Sequence, residues 1–164
     1  MNQKVVNEIK EIIRREDILR HIQKMDAYYH HGKITTMWHC IAVTYFSLKI
    51  ASLLKLKIQK KSMVIGALFH DYYLYDWHVR EKYHQFHGFK HAKFALKNSK
   101  KIYPINPIEK DIILNHMFPL TFNPPRYKES ILVSAVDKGC SISETLFKTT
   151  YHELKQAFDT LNLK

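Results

Sequence analysis

Hydrophobic residues recur at helical spacing along most of the chain and divide it into amphipathic segments. Residues 3 to about 24 predict one or two helices. Residues 26–34 break the period and predict a loop, after which Thr35 or Thr36 would cap a long helix with His39 in its first turn. The same pattern predicts five further helical segments, at residues 62–71, 88–99, 106–116, 128–140 and 141–161.

Local signals mark where three of these helices should begin. Asn106 followed by Pro107 and by Glu109 is typical of a capped helix start, Ser141 with Glu144 has the pattern of a second capping box, and Ser62 is a third N-cap candidate. The chain has only four glycines and five prolines, which argues against a loop-rich β fold. We therefore predict an all-α bundle of six to eight helices. It forms one domain over residues 1–164, whose core at about 36–145 is packed by the N-terminal and C-terminal helices.

Composition limits the partners and the compartment. The 26 basic residues exceed the 15 acidic ones, and the formal charge of +11 favours an anionic partner, although the lysines are scattered. Residues 41–54 are apolar but contain Lys49 and fall short of the roughly 20 residues of a membrane span, so we expect a core helix and no membrane partner. Cys40 and Cys140 give no disulfide framework, and no secretory signal is visible, which predicts a cytoplasmic protein.

Polar residues with metal-binding side chains stand at the ends of apolar helices. His70 and Asp71 end the apolar run 63–69, His116 ends the run 112–115 and Asp137 follows the run 133–136. A carboxylate at the end of a buried helix is costly without a counter-charge, and a metal ion supplies one. Each residue alone is more often a satisfied core or surface group. Together with His39 they indicate a metal site of nitrogen and oxygen ligands.

A family resemblance rests on His39, on His70-Asp71 and on Asp137 in the stretch 133–138. Over residues 36–145, the sequence resembles the HD superfamily of metal-dependent phosphohydrolases. His87, followed by Gly88, and then His116 resemble the additional histidines of its dinuclear branch.

The resemblance implies six metal ligands. His39, His70, Asp71 and Asp137 would hold a first ion, with Asp71 bridging to a second ion held by His87 and His116, and a metal-bridging hydroxide would attack phosphorus. His70 and Asp71 would then be the catalytic pair. Two divalent or mixed-valent ions are implied; iron or manganese is favoured, and zinc, cobalt, nickel or magnesium would also fit.

Other residues leave alternatives open. His91 stands four positions after His87, where related dinuclear proteins commonly have glycine. It could be a substitute ligand, a support for a ligand or a surface residue. His87 is favoured as the ligand, and His84 is a weaker candidate. His30 and His31 lie just before the His39 helix, where they could reach the mouth of the site, but solvent exposure is the favoured interpretation. The cations and the further histidine that would contact a phosphorylated substrate are predicted to be Lys138, Arg80, Lys90, Arg126 and His91.

The function expected from the resemblance is hydrolysis of a soluble phosphate ester or nucleotide, and HD proteins that cleave dinucleoside tetraphosphates look like the nearest analogues. One alternative is a di-iron oxygenase of HD-like fold. Another is a non-catalytic, metal-stabilised module that binds a nucleotide or nucleic acid; because no nucleic-acid-binding motif is present, nucleic acid is the less expected partner. The sequence predicts no oligomeric state.

Overall fold

The computed structural model describes residues 1–76 and 87–161, with the side chains of His31, His87 and Thr160 also outside the description. Its regular structure is almost entirely helical, which confirms the predicted all-α class. Within the described residues, the elements are α1 Gln3–Arg15, α2 Leu19–Gln23, the hairpin β1 Tyr29–His31 and β2 Ile34–Thr35, α3 Thr36–Leu53, α4 Lys60–Phe69, α5 His87–Ser99, α6 Pro107–Asn115, α7 Lys128–Leu146 and α8 His152–Phe158.

Four helices form the centre of the molecule. Helix α3 packs against α4 and α7, and α6 packs against the same two helices from the other side. Because α4 is surrounded in this way, residues 62–69 are buried on every face, which explains why the segment is apolar without a polar stripe. Helix α5 packs on α6, while α1 lies against α3 and α8 and buries only one stripe, formed by Val5, Val6, Ile9 and Ile13.

Local signals predicted some helix boundaries and missed others. The capping box at Asn106 and Glu109 is confirmed, since each side chain accepts a hydrogen bond from the other residue's backbone N–H. The cap assigned to Ser62 is wrong: α4 begins after Gln59, and Ser62 is buried inside the helix. The predicted helix start at Ser141 is also wrong, because α7 continues through it to Leu146.

Part of the predicted loop at 26–34 is ordered as the β1–β2 hairpin. The two strands pair antiparallel with a register shift between Tyr29 and His31. The hairpin is fastened to the start of α3, where the Thr36 N–H and the Thr36 hydroxyl both donate to the Tyr28 carbonyl. This connection holds the strand that carries His30 beside the first turn of α3.

Among the described residues, no helix has the length and apolar character needed to cross a bilayer.

Helices α4 and α6 pack against each other without room for a side chain at Gly66. A Cβ atom at this position would lie 2.6 Å from Ile112 Cδ1 and 2.9 Å from Ile112 Cβ, closer than atoms can pack. Helix α7 contains a matched case without such a neighbour, because a Cβ atom at Gly139 would meet nothing within 4 Å. The glycine at 66 is therefore required by the distance between the two helices that end at His70 and His116.

We predict that Gly66→Ala lowers the free energy of unfolding by about 1–3 kcal/mol, because α4 and α6 must move apart. Gly139→Ala, the control, should raise it by about 0.5–1 kcal/mol through the higher helix propensity of alanine. Urea unfolding followed by circular dichroism measures both. Equal stability of the two variants would show that the α4–α6 distance does not depend on Gly66.

Candidate metal centre

The ends of the central helices bring the proposed ligands together. His70 and Asp71 directly follow the last residue of α4, and His116 directly follows the last residue of α6. The His70 and His116 rings lie edge to face with their centroids 4.9 Å apart. His39 from α3 and Asp137 from α7 complete the cluster, and all five side chains are buried.

Hydrogen bonds fix the tautomer of three of these histidines. His70 Nδ1 lies 2.8 Å from the Ala67 carbonyl oxygen and His116 Nδ1 lies 2.9 Å from the Ile113 carbonyl oxygen. Carbonyl oxygens only accept, so both Nδ1 atoms carry hydrogen and donate. His39 Nδ1 donates in the same way to the Glu144 carboxylate, at 2.9 Å. In each ring the remaining nitrogen, Nε2, is thereby available to bind a metal ion.

The Nε2 atoms converge on two carboxylates. His39 Nε2 lies 3.0 Å from Asp137 Oδ1, and His70 Nε2 lies 3.5 Å from the same oxygen and 3.6 Å from Asp71 Oδ2. Ligand atoms of His39, His70 and Asp137 all lie within 4.8 Å of one another, and so do those of His70, Asp71 and His116. His70 belongs to both groups, and Asp71 also belongs to a third such group, with His30 and His39.

His91 also reaches this cluster, from α5. Its Nε2 lies 2.8 Å from His116 Nε2 and 3.2 Å from Asp71 Oδ1, and the side chain is buried. His87, the ligand preferred from the sequence, begins α5, but its side chain lies outside the described residues, as does His84. The structure therefore brings together His39, His70, Asp71, His116 and Asp137 from the predicted ligands and adds His91 to them.

Two buried polar atoms at the centre of the cluster indicate that it fits a cation. His70 Nε2 and Asp71 Oδ1 are shielded from solvent and lack a well-formed hydrogen bond, since their polar neighbours lie 3.2–3.6 Å away. A buried polar atom without a partner costs about 1–3 kcal/mol, and more when it is charged. Imidazole nitrogen together with carboxylate oxygen is the ligand set of iron, manganese, zinc and related metals. These buried histidine and aspartate groups could hold metal ions.

The negative charges of the buried carboxylates are balanced by protonated histidines. Burial raises the pKa of Asp71, but the charges of His70 and His91 outweigh it and hold this pKa well below its ordinary value. Burial likewise opposes charge on His39, yet hydrogen bonds to Asp137 and Glu144 raise its pKa well above 6.5. Burial and then the charge of His70 lower the pKa of His116 to about 3, so His116 is neutral. Metal binding would displace the Nε2 protons of the charged rings.

Glu144, which the sequence pattern assigned to a helix cap, belongs to the site. It lies two turns after Asp137 on the same face of α7 and is buried. Besides His39, it accepts a hydrogen bond from the Tyr151 hydroxyl at 2.8 Å. Burial raises the pKa of Glu144, but hydrogen bonds from His30 and His39 outweigh it and lower the pKa far below its usual range. The spacing of seven between Asp137 and Glu144 was the signal that could have identified it.

His30 is also part of the site, and the expectation that it is solvent-exposed is wrong. The hairpin buries it to 7% exposure, and its ring stacks on His39 with centroids 3.7 Å apart. Its Nε2 lies 3.1 Å from Asp71 Oδ2 and its Nδ1 lies 3.3 Å from Glu144 Oε2. The physical reason is the hairpin itself, because an irregular loop would not have carried this side chain inward.

The predicted substrate cations occupy different environments. Lys138 lines the cavity beside the cluster, and its Nζ donates to the His116 carbonyl at 2.8 Å, so it also holds the end of α6. Lys90 is exposed on α5. Arg126 lines a separate cavity with Asp111, and Arg80 lies outside the described residues.

The cavity beside the cluster has about 680 Å³ of space and a mixed lining. Its polar lining includes four candidate ligands, Asp71, His91, His116 and Asp137, together with His30. Its apolar lining, which we call the apolar wall, consists of Met117, Pro119, Leu120 and Ile142. A molecule that enters this cavity would therefore meet both charged ligands and hydrocarbon.

Comparisons of the chain with protein-family models, with curated proteins and with solved structures return no match.

We predict that Glu144→Gln weakens metal binding by about 10–100-fold while the protein stays folded, because the neutral amide no longer increases the basicity of His39. Calorimetric titration of metal-free protein with manganese or zinc measures the affinity, and circular dichroism checks the fold. The exposed Glu153→Gln in α8 is the matched control. Unchanged affinity in Glu144→Gln would show that Glu144 only fills space.

Proposed function

We propose that the chain is a metal-dependent phosphohydrolase with an HD-type site. The observation that carries the proposal is the set of three imidazoles, each with Nδ1–H engaged by the protein and Nε2 facing a buried carboxylate. This arrangement is what divalent metal ligands require. The order of the residues along the chain adds the resemblance to the HD superfamily.

The ligands divide between two ions. His39, His70, Asp71 and Asp137 would hold the first ion, and Asp71, His116 and a histidine of α5 would hold the second. His91 is favoured as that histidine, because its Nε2 already lies 3.2 Å from Asp71 Oδ1. His87 is the alternative ligand or an additional one. Iron and manganese suit this mixture of nitrogen and oxygen donors, and zinc, cobalt or nickel would also be accepted.

When bound, the ions would supply Lewis acidity for the attack of water on phosphorus and would neutralise charge on the phosphoryl oxygens. The chain's own contribution is orientation. Glu144 holds His39, and the Lys138 ammonium together with the Ser134 hydroxyl holds the carbonyl of His116. The apolar wall of the cavity would exclude bulk water, which strengthens every electrostatic interaction at the ligands.

A di-iron oxygenase is the second candidate. Four imidazoles, those of His30, His70, His91 and His116, lie within 3.6 Å of the Asp71 carboxylate, a nitrogen-rich environment that suits iron. The two reactions differ in their requirement for oxygen. Phosphate release under strictly anaerobic conditions would exclude the oxygenase, and activity that needs oxygen would exclude the hydrolase.

We predict that Asp71→Asn lowers phosphate-ester hydrolysis by about 10²-fold or more, because the carboxylate proposed to contact both ions loses its charge. The assay is a panel of phosphomonoesters and phosphodiesters, including nucleotides, tested on protein reconstituted separately with iron, manganese and zinc. His152→Ala, which removes an exposed histidine of α8, is the control and should retain full turnover. Full turnover in Asp71→Asn would contradict the mechanism.

We predict that His91→Ala reduces the metal content by one ion per chain, because the second ion loses an α5 ligand. Elemental analysis of wild type, His91→Ala and His87→Ala after equal reconstitution measures the stoichiometry. A loss confined to His87→Ala would assign the ligand to position 87. No loss in either variant would restrict the site to the ligands of a single ion.

A further inference from the structure

Large hydrophobic side chains are exposed on three segments that contribute to the lining of the cavity, residues 87–100, 117–128 and 138–148. Phe122 is 95% exposed, Phe147 is 75% exposed and Leu146 is 69% exposed. Single exposed side chains of this kind are normal, whereas several on neighbouring segments indicate an interaction. We call this set the apolar rim and define it as Phe89, Leu120, Phe122, Ile142, Leu146 and Phe147.

The rim shares two residues with the cavity. Leu120 and Ile142 belong to both, since each lines the cavity and is also about half exposed. Leu146 follows Ile142 by one helical turn on α7 and so lies on the same face. Phe89 follows Gly88, a cavity residue at which a Cβ atom would lie 3.2 Å from Leu120 Cδ2.

Apolar side chains also line the cavity close to the candidate ligands. Met117 follows His116 directly, and it lines the cavity together with Pro119. Apolar lining therefore extends from two residues of the rim, Leu120 and Ile142, to the residue next to a candidate metal ligand. A substrate that uses this surface needs an apolar part as well as a charged one.

The three segments that carry the rim are basic. The three segments that build it, residues 87–100, 117–128 and 138–148, contain one acidic residue, Glu144, which is buried in the site. Their basic residues are Lys90, Lys93, Lys97, Lys100, Arg126, Lys128, Lys138 and Lys148. Exposed hydrocarbon surrounded by cations complements a surface that is apolar inside and anionic at its head groups.

We propose that the apolar rim binds the surface of an anionic lipid bilayer, and that the site takes its substrate from there as a phosphorylated amphiphile. The rim side chains would enter the head-group region while the lysines contact lipid phosphates. This binding needs no membrane-spanning helix. The substrate part of the proposal rests on the proposed hydrolase function, whereas lipid binding by the rim does not.

In the reaction the phosphate ester would be held at the ligands and its acyl chain along the apolar wall. The oxygen of water forms a bond to phosphorus as the ester P–O bond breaks. The products are inorganic phosphate and the lipid alcohol, which takes up a proton from the attacking water. Water is the second substrate, and no oxidant is needed.

The composition of the rim favours lipid over single-stranded nucleic acid. Nucleic-acid platforms combine cations with aromatic rings on which bases stack. Half of the rim is aliphatic, through Leu120, Ile142 and Leu146, and these side chains offer no ring for stacking. Acyl chains accept aliphatic and aromatic side chains alike.

The test is co-sedimentation of the full chain with vesicles of phosphatidylcholine alone and of phosphatidylcholine mixed with phosphatidic acid. Wild type should bind the mixed vesicles and release from them as salt is raised. The triple variant Phe122→Ser, Leu146→Ser, Phe147→Ser should bind at least about tenfold more weakly. The control is Leu53→Ser, Leu54→Ser, which removes two hydrophobic residues of similar exposure, 69% and 63%, at the end of α3.

Three results would overturn the proposal: equal binding by wild type and the rim variant, an equal loss in the Leu53/Leu54 control, or rim-dependent binding of a single-stranded oligonucleotide with no binding to vesicles. Turnover by reconstituted wild type distinguishes a failure of lipid binding by the rim from a failure of the proposed hydrolase function. Hydrolysis of phosphatidic acid in vesicles supports both. Vesicle binding without turnover of phosphatidic acid or of p-nitrophenyl phosphate would leave the rim in place and reject the hydrolase.

Discussion

The structure depends on the burial of two carboxylates, Asp71 and Asp137, at the point where the central helices meet. A carboxylate without solvent must be compensated by positive charge or hydrogen bonds. Here the surrounding imidazoles provide that compensation by becoming protonated, and His39 and His70 have raised pKa values as a result, although burial opposes it. A metal ion would provide the same compensation and release those protons. The four-helix core therefore has a centre that is stable only when filled with positive charge.

The same local device orients the ligands at the ends of α4 and α6. In both cases the histidine follows the last residue of the helix, and its Nδ1–H donates to the carbonyl three residues earlier, that of Ala67 or Ile113. These carbonyls belong to the last turn, where helical partners are missing, so the histidine both caps the helix and fixes its own ring. Gly66 lets the two helices approach each other closely. Ligand geometry is thus a consequence of how the helices terminate.

Sequence patterns predicted the all-α class and the convergence of His39, His70, Asp71, His116 and Asp137, because apolar helices that end in polar residues have few ways to bury them. Glu144 was missed since Ser141 and Glu144 form a capping pattern that is identical whether a helix starts there or continues. Only the tertiary burial of that face of α7 distinguishes the two. His30 was missed for a related reason, since its inward direction depends on a hairpin register that short polar segments do not specify.

The expectation that no membrane is involved came from a test for spanning segments, and that test examines contiguous residues. A surface that binds the outside of a bilayer would not be found by that test, because it is assembled from side chains distant in sequence. The apolar rim draws on three segments, none of which is hydrophobic as a whole, and each of them also carries a candidate ligand or its neighbour: His91, Met117 beside His116, and Lys138 beside Asp137. In the proposed reaction, ligands and hydrocarbon on the same segments would orient the substrate. Its charged group would lie at the helix ends, and its apolar part would point outward toward the rim.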